Sequence, residues 1–171
     1  MPENPVLIIG GGPAGLEAAR GVADLGYPVT LVEKEDRLGG TPIHCDYAAL
    51  TPNMVNAEEA MGAMVKKIEN DPLIDIRTST EITTASGNAP ELQVTLKGQS
   101  GEEKLNAGSV IVATGFKHFD PGKETQMYGY YEFDDVITLV DTERMLKAGK
   151  FVRPSTGCLL YTSDAADESR G

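Results

Sequence analysis

Glycines near the amino terminus carry the clearest chemical signal in the sequence. Gly10, Gly12 and Gly15 stand in the spacing Gly-x-Gly-x-x-Gly, with Pro13 and Ala14 between the last two. The first glycine permits a tight turn, the second lets a pyrophosphate approach the backbone, and the third lets a helix pack closely on a strand. The N-terminus of that helix binds phosphate through its free N–H groups. The spacing therefore predicts that these five residues hold a dinucleotide pyrophosphate, against the simpler interpretation of a glycine-rich turn in an unrelated α/β fold.

An acidic residue stands where a dinucleotide-binding unit needs one. Glu33 follows Gly15 by 18 residues and ends a second apolar run. A carboxylate near this position accepts hydrogen bonds from ribose hydroxyls. Lys34 and Arg37 could neutralise phosphate charge, although a solvated surface explains them equally well. We therefore expect Glu33 to bind the adenosine ribose, with Lys34 beside it.

The elements around these residues form a strand, turn, helix and strand. An apolar run at 6–9 predicts a buried strand, apolar spacing at 16–23 predicts a helix closed by Gly26, and 28–33 predicts a second strand. These elements within about 30 residues are typical of a βαβ crossover with parallel strands.

The pattern then changes from parallel to antiparallel structure. In chain order we expect a loop at 34–52, a helix at 57–69 begun by Asn56 and Glu59, a third parallel strand at 74–76, a β-meander of three strands at 79–106, and a buried strand at 109–112. Apolar residues of the 57–69 helix, including Met61 and Ile68, are expected to lie in the core. The fold class is thus α/β, a Rossmann-like domain with a parallel sheet and an inserted β-meander.

The order of the motifs favours FAD over NAD as the dinucleotide. Residues 34–41, KEDRLGGT, follow the ribose carboxylate, the meander separates the third and last parallel strands, and Ala113-Thr114-Gly115 follows the last strand. We assign the FAD-binding domain to 1–115. Residues 116–157 are expected to begin a following segment, with a loop at 116–135 and a helix at 142–148 capped by Asp141, and to be incomplete.

Composition excludes several classes of protein. The chain has 171 residues and a formal net charge of −11, which argues against nucleic acid or an anionic membrane as the main partner. Apolar runs are too short to span a bilayer, and the start MPENP has no features of a signal peptide. Two cysteines, Cys45 and Cys158, are too few for a disulfide scaffold. We expect a cytoplasmic protein without membrane insertion.

The end of the chain has a different origin from the rest. Residues 158–168, CLLYTSDAADE, can be reverse-translated in one frame into a transposon-end adapter used in preparing DNA sequencing libraries. The alternative is a genuine small polar tail. We expect 158–171 to be an artefact and the native part, 1–157, to be an N-terminal fragment of a longer protein, truncated at its C-terminus.

The combination of GGGPAG, VEKE, LGG, a meander and ATG resembles the two-dinucleotide-binding flavoproteins of the glutathione-reductase type. In that family the first glycine motif binds FAD. The resemblance implies that Gly39, Gly40 and Thr41 approach the ribityl and flavin side of the cofactor. It also implies that the backbone near Ile82 meets adenine, and that residues 113–115 close over the cofactor.

Longer motifs carry a narrower resemblance. LGGTPIHCDYAALTP, VIVATGFKHFDP, YGYYEFDDVITL and GKFVRPSTG are similar to the FAD-binding A subunit of heterodisulfide reductase and its relatives, especially those of heterodisulfide-reductase-like complexes in sulfur oxidation. The resemblance implies an electron-transfer flavoprotein that works with other subunits in thiol, disulfide or sulfur chemistry. The alternatives are a single-chain NAD(P)H-dependent FAD oxidoreductase and a non-functional fragment that binds FAD weakly or not at all.

The sequence departs from the dithiol enzymes of this type. They place a cysteine directly after Leu-Gly-Gly-Thr and a second five residues later, where this chain has Pro42 and Tyr47. Without CxxC spacing in 1–157, an iron–sulfur cluster is expected only in a missing part or in partner subunits. Cys45 is more often explained as a buried thiol than as a redox group. We assign no role to His44 or His118, no metal site and no catalytic residue.

Overall fold

A computed structural model describes residues 4–123 and 127–160. Its contacts divide the chain into two compact units, one of residues up to 45 with 49–117, and one of 46–48 with the residues from 118 onward. The predicted domain boundaries and the adapter origin of 158–171 stay predictions, and residues 161–171 lie outside the described part. No helix among the described residues is long and apolar enough to cross a membrane.

The first unit is built on a parallel sheet. Its four strands are β1 (Val6–Ile9), β2 (Val29–Val32), β5 (Ile74–Arg77) and β9 (Ser109–Val112), in the order β5-β2-β1-β9. Every pairing is parallel, with Val6 opposite both Val29 and Ser109. The predicted α/β class and the three strands before the meander are therefore confirmed.

Two helices cover one face of this sheet. They are α1 (Pro13–Asp24) and α3 (Ala57–Ile68). Apolar residues spaced by three or four put one face of each helix into a core whose fully buried members include Ile8, Leu16, Leu31 and Ile68. Met61 is also buried, so the apolar stripe of α3 serves the core as predicted.

Local signals set the ends of both helices. Asn56 caps α3 by accepting a hydrogen bond from the Glu59 N–H, at 3.1 Å. Gly26 follows the end of α1 with a φ of +84°, and its N–H donates to the Ala23 carbonyl. Both ends agree with the sequence.

The β-meander packs on the opposite face of the sheet. Its strands are β6 (Glu81–Asn88), β7 (Glu91–Gly98) and β8 (Gly101–Ala107), all antiparallel. Val94 and Leu96 of β7 form a second core with Leu7 and Val32 of the parallel sheet. The meander thus fixes β1 and β2 from the side that the helices leave open.

The expectation that β9 is buried is wrong for one of its faces. Val112 is 70% exposed and Val110 36%. Their partners in register are Ile9 and Leu7, which the meander core does cover. The β-branched run predicts the strand, but its burial depends on how far the covering layer reaches.

The expected loop at 34–52 contains short regular elements. They are α2 (Thr41–His44) and β3 (Ala49–Leu50), and β3 pairs with β4 (Val55–Asn56). Elements of two to four residues show no periodicity, which is why the sequence pattern did not predict them.

The second unit contains α4 (Leu139–Lys147) and two short 3-10 turns at 121–123 and 127–129. The predicted cap residue is wrong by one turn, since Thr138 caps α4 and Asp141 is its third residue. Each side chain of this pair accepts a hydrogen bond from the backbone N–H of the other. Burial opposes ionisation of Asp141, but the hydrogen bonds that the Thr138 hydroxyl and N–H donate to its carboxylate outweigh this effect, with help from Tyr130 and Arg144, and lower the pKa of the carboxyl.

Candidate functional site

The glycine turn lies at the carboxyl ends of β1 and β9. Gly10 has a φ of +109°, and a Cβ there would lie 2.3 Å from the Ala113 carbonyl oxygen and 3.2 Å from the Thr114 Cα. Only glycine allows both this conformation and this approach. The structure therefore brings together the first glycine of the fingerprint and the Ala-Thr-Gly turn, about a hundred residues apart in sequence.

Gly15 holds the start of α1 against the same turn. A Cβ on Gly15 would lie 1.8 Å from the carbonyl oxygen of Gly10, far inside any real contact. The helix therefore begins directly behind the end of β1. This is the close helix–strand packing that the third glycine of the fingerprint predicts.

The first turn of α1 is suited to an anion. Gly12 is the N-cap in an extended conformation, Pro13 follows at the first helical position, and within the described residues no side chain caps this end. The first turn of the helix itself contains no acidic residue, so no side chain of α1 competes with an anion for the positive end of the helix dipole. Pro13 and Ala14 are exposed, which leaves the turn accessible. These residues fit a pyrophosphate.

Glu33 provides a buried carboxylate beside this turn. Its side chain is 6% exposed, its Oε2 accepts a 2.7 Å hydrogen bond from the Gly11 N–H, and its Oε1 accepts one of 2.9 Å from the Glu35 N–H. Its backbone N–H donates to the carbonyl of Arg77, the last residue of β5, and its carbonyl accepts from the Thr80 N–H. A carboxylate oriented in this way retains lone pairs for the two hydroxyls of a ribose.

Gly39 and Gly40 pack directly on the glycine turn that follows β1. The Gly39 N–H donates to the Gly11 carbonyl at 2.8 Å. Gly40 has φ +60° and ψ −150°, and a Cβ there would lie 2.6 Å from the Gly12 Cα. Thr41, half-buried, then begins α2. The predicted residues Gly39 and Gly40 therefore line the same turn.

For three other predicted residues the structure describes only their exposure or contacts elsewhere. Lys34 is exposed, and its Nζ lies 3.4 Å from a carboxylate oxygen of Glu35. The Ile82 side chain packs into the meander core, and Gly115 is exposed with a φ of +71°. The cofactor contacts predicted for these three residues stay predictions.

Sequence reasoning missed two residues that complete the site. Gly11 uses its N–H for Glu33 and its carbonyl for Gly39, so both of its backbone groups belong to the site. Leu38 covers the position where a Gly11 side chain would start. The position of Leu38 directly before Gly39 and Gly40 was the available sequence signal, but only the fold shows that this leucine contacts Gly11.

The thiol and imidazole groups have separate surroundings. Cys45 is a half-buried free thiol at the end of α2. Tyr47 Oη and His118 Nε2 lie 3.0 Å apart within the second unit. In the part of the chain that the structure describes, no three His, Cys, Asp or Glu residues cluster in a way that could hold a metal.

Comparison with known proteins gives a consistent family. The model of the pyridine nucleotide-disulphide oxidoreductases matches residues 4–150. The chain is 27% identical to an iron-sulfur subunit of the CoB–CoM heterodisulfide reductase of Methanopyrus kandleri, over 91% of this chain and 35% of that protein. The alignment with this relative extends over 241 residues, more than the 171 residues of this chain. Within the aligned region the relative therefore contains segments that this chain lacks.

Solved structures share the fold. The superposition with L-proline dehydrogenase from P. horikoshii covers 66% of this chain and 22% of that protein, with a TM-score of 0.58 and 24% sequence identity. Thioredoxin reductase from T. acidophilum covers 72% with a TM-score of 0.56 at 21% identity, and the match takes 39% of that chain. The chain spans about a third of the length of the curated relatives it matches.

Proposed function

Because the chain belongs to the pyridine nucleotide-disulphide oxidoreductase family, we propose that it is the FAD-binding portion of an oxidoreductase. The observation that carries the proposal is the buried Glu33 carboxylate, which lies within 2.7 Å of the Gly11 N–H at the start of α1. An acceptor for ribose hydroxyls and an open helix N-terminus for phosphate thus stand side by side, as an adenosine diphosphate moiety requires.

For the individual residues we propose the roles that the glycine spacing and the family resemblance imply. Gly10, Gly12, Pro13, Ala14 and Gly15 hold the pyrophosphate through backbone groups. Glu33 binds the adenosine ribose. The remaining contacts run outward from there, with Gly39, Gly40 and Thr41 toward the ribityl chain and flavin, Ala113, Thr114 and Gly115 over the cofactor, the Ile82 backbone at adenine and Lys34 near the phosphates.

Bound FAD would supply the electron-accepting chemistry. The residues of this chain bind and orient it, and we assign none of them as a catalytic acid, base or nucleophile. The positions after Leu-Gly-Gly-Thr support this division, because Pro42 and Tyr47 cannot form the dithiol of a disulfide reductase.

The relatives suggest the setting of this cofactor. Their names identify them as subunits of heterodisulfide reductases, and three of these names contain an iron–sulfur designation. We therefore propose an electron-transfer flavoprotein subunit of a heterodisulfide-reductase-like complex in thiol, disulfide or sulfur metabolism, located in the cytoplasm. Its iron–sulfur clusters would lie in partner subunits or in parts of the protein that this sequence does not include.

One observation favours a second candidate, since the family description includes a pyridine nucleotide. A single-chain NAD(P)H-dependent FAD oxidoreductase would reduce its flavin on addition of NADH or NADPH alone. The complex subunit would instead need its partner proteins. Anaerobic addition of either nicotinamide to the FAD-loaded protein, followed by absorbance of the flavin, separates the two.

Titration of the purified chain with FAD and with ADP tests the binding site. Glu33→Gln places an amide NH₂ against a backbone N–H and removes the charged acceptor for ribose, so we expect binding of both ligands to weaken by roughly 10- to 100-fold. Glu91→Gln, an exposed substitution of the same chemistry on β7, is the matched control. Isothermal titration calorimetry measures both constants.

Two results would contradict the proposal. Equal affinities for FAD in the Glu33 and Glu91 variants would remove the carboxylate from the site, and binding of NAD in preference to FAD would identify a different cofactor. The expected weak binding by the short chain has its own test, in which tightly held, stoichiometric FAD in a purified 1–157 protein would disprove it. A protein encoded by the extended gene is expected to be yellow.

A further inference from the structure

We propose that Leu38 is a positioning residue that holds the Glu33 carboxylate in its ligand-binding orientation. The identity of the ligand in this inference rests on the proposed function, whereas the contact between Leu38 and the Gly11–Glu33 pair does not. It starts from the hydrogen bond between the Gly11 N–H and Glu33 Oε2, a buried contact of 2.7 Å. A carboxylate removed from water depends on such bonds, because it has lost its hydration.

Three groups converge on the space in front of the Gly11 Cα. A Cβ built on Gly11 would lie 2.5 Å from the Leu38 Cδ2, and 3.2 Å from both Cβ and Oε2 of Glu33. The leucine methyl and the carboxylate oxygen therefore both border the volume that a side chain at position 11 would take. We infer that the methyl keeps water away from that side of the hydrogen bond.

Leu38 is itself fixed at two points. Its side chain packs against the core that contains Ile8 and Leu16. The next residue, Gly39, donates its N–H to the Gly11 carbonyl at 2.8 Å. The loop after β2 is therefore anchored on the same residue that donates to Glu33, and the backbone next to Leu38 cannot move away without breaking this hydrogen bond.

The consequence is a carboxylate that is oriented before any ligand arrives. Glu33 Oε1 is held by the Glu35 N–H and Oε2 by the Gly11 N–H, and the Leu38 methyl occupies the side-chain position of Gly11. Removal of that methyl admits water to compete for the Gly11 N–H. The carboxylate then samples other orientations, and ligand binding has to restore the productive one.

Amide hydrogen exchange in the ligand-free chain tests this inference. In Leu38→Ala we expect exchange of the Gly11 N–H to accelerate roughly tenfold or more while the amides of Ile8 and Leu31 in the core stay protected. Leu38→Met, which keeps a flexible apolar group of similar volume, is expected to restore slow exchange. Leu25→Ala, at a leucine that is 74% exposed, is the matched control.

The same variants are then titrated with ADP. We expect about tenfold weaker binding in Leu38→Ala, recovery in Leu38→Met and no change in Leu25→Ala. Leu38→Val, a smaller truncation, is measured in parallel in case the alanine variant loses its core protection. Unchanged Gly11 exchange in every folded Leu38 variant would overturn the inference. Accelerated exchange in a chain that binds neither ADP nor FAD would support the positioning role and refute the proposed function instead.

Discussion

Replacement of Gly15 by alanine tests the packing on which the glycine turn depends. The new Cβ would lie 1.8 Å from the Gly10 carbonyl oxygen, whereas real contacts of this kind are at least 3.0 Å. The start of α1 would therefore have to move away from β1 by more than 1 Å. Because the obstacle is backbone and not the end of a flexible side chain, no rotamer change relieves it.

The size of the effect follows from this clash. Overpacking of a core costs about 1–3 kcal/mol, and a backbone obstacle places Gly15→Ala near the upper end. For a domain of about 150 residues this corresponds to a fall in Tm of roughly 6–12 °C. Gly21→Ala lies two turns further along the same helix with nothing within 4 Å of the new methyl group, and it should gain about 0.5–1 kcal/mol from helix propensity.

Urea unfolding of the full chain, followed by far-ultraviolet circular dichroism, measures both variants. The two substitutions are chemically identical and occur in one helix, so the difference between them isolates the contact with Gly10. Equal stabilities of Gly15→Ala and Gly21→Ala would refute the close approach of α1 to the turn. A stability loss in Gly15→Ala with a gain in Gly21→Ala is the expected result.

Two further outcomes concern helix ends. Asn56→Ala removes the acceptor for the first turn of α3 and should destabilise the first unit by about 1 kcal/mol in the same urea assay, while Asn88→Ala, at the end of a meander strand, should have little effect. Because folding lowers the pKa of Asp141, its ionised carboxylate stabilises the folded chain. This contribution to stability is fully present above the ordinary carboxyl pKa of about 3.9 and is lost as the pH falls through the lower pKa of the folded state. The protection of α4 amides against hydrogen exchange should therefore fall in strong acid in the parent chain. Asp141→Asn should abolish that pH dependence and lower the protection at neutral pH. An unchanged dependence on acid in Asp141→Asn would contradict this role of the carboxylate.

The first 33 residues show what a sequence can predict on its own. The run at 6–9, the glycine spacing and Glu33 are local patterns, and each has a direct backbone consequence that needs no knowledge of the rest of the chain. The strand bounds of β1 agree with the prediction residue for residue. The position of the carboxylate beside the turn follows from parallel pairing of β1 with β2.

Contacts between distant or irregular segments could not be predicted in this way. The role of Gly11 depends on Leu38 and Gly39, which lie in a loop without periodicity. The helix α2 is too short to show a periodic pattern, and Thr138 caps α4 from a position to which the sequence pattern assigned no element. The exposure of Val112 depends on which strands the meander covers, which is a property of the assembled layers.

The place of β1 in the sheet has a consequence for biosynthesis. This strand is made first, but it lies between β2 and β9, and Val6 pairs with Ser109 about a hundred residues later. The nascent chain can form the β1–α1–β2 unit early, whereas the backbone of Ala113 reaches Gly10 only after β9 has been synthesised. Such non-local pairing is slow to form. The glycine turn should therefore reach its final geometry late in folding, when the last parallel strand joins the sheet.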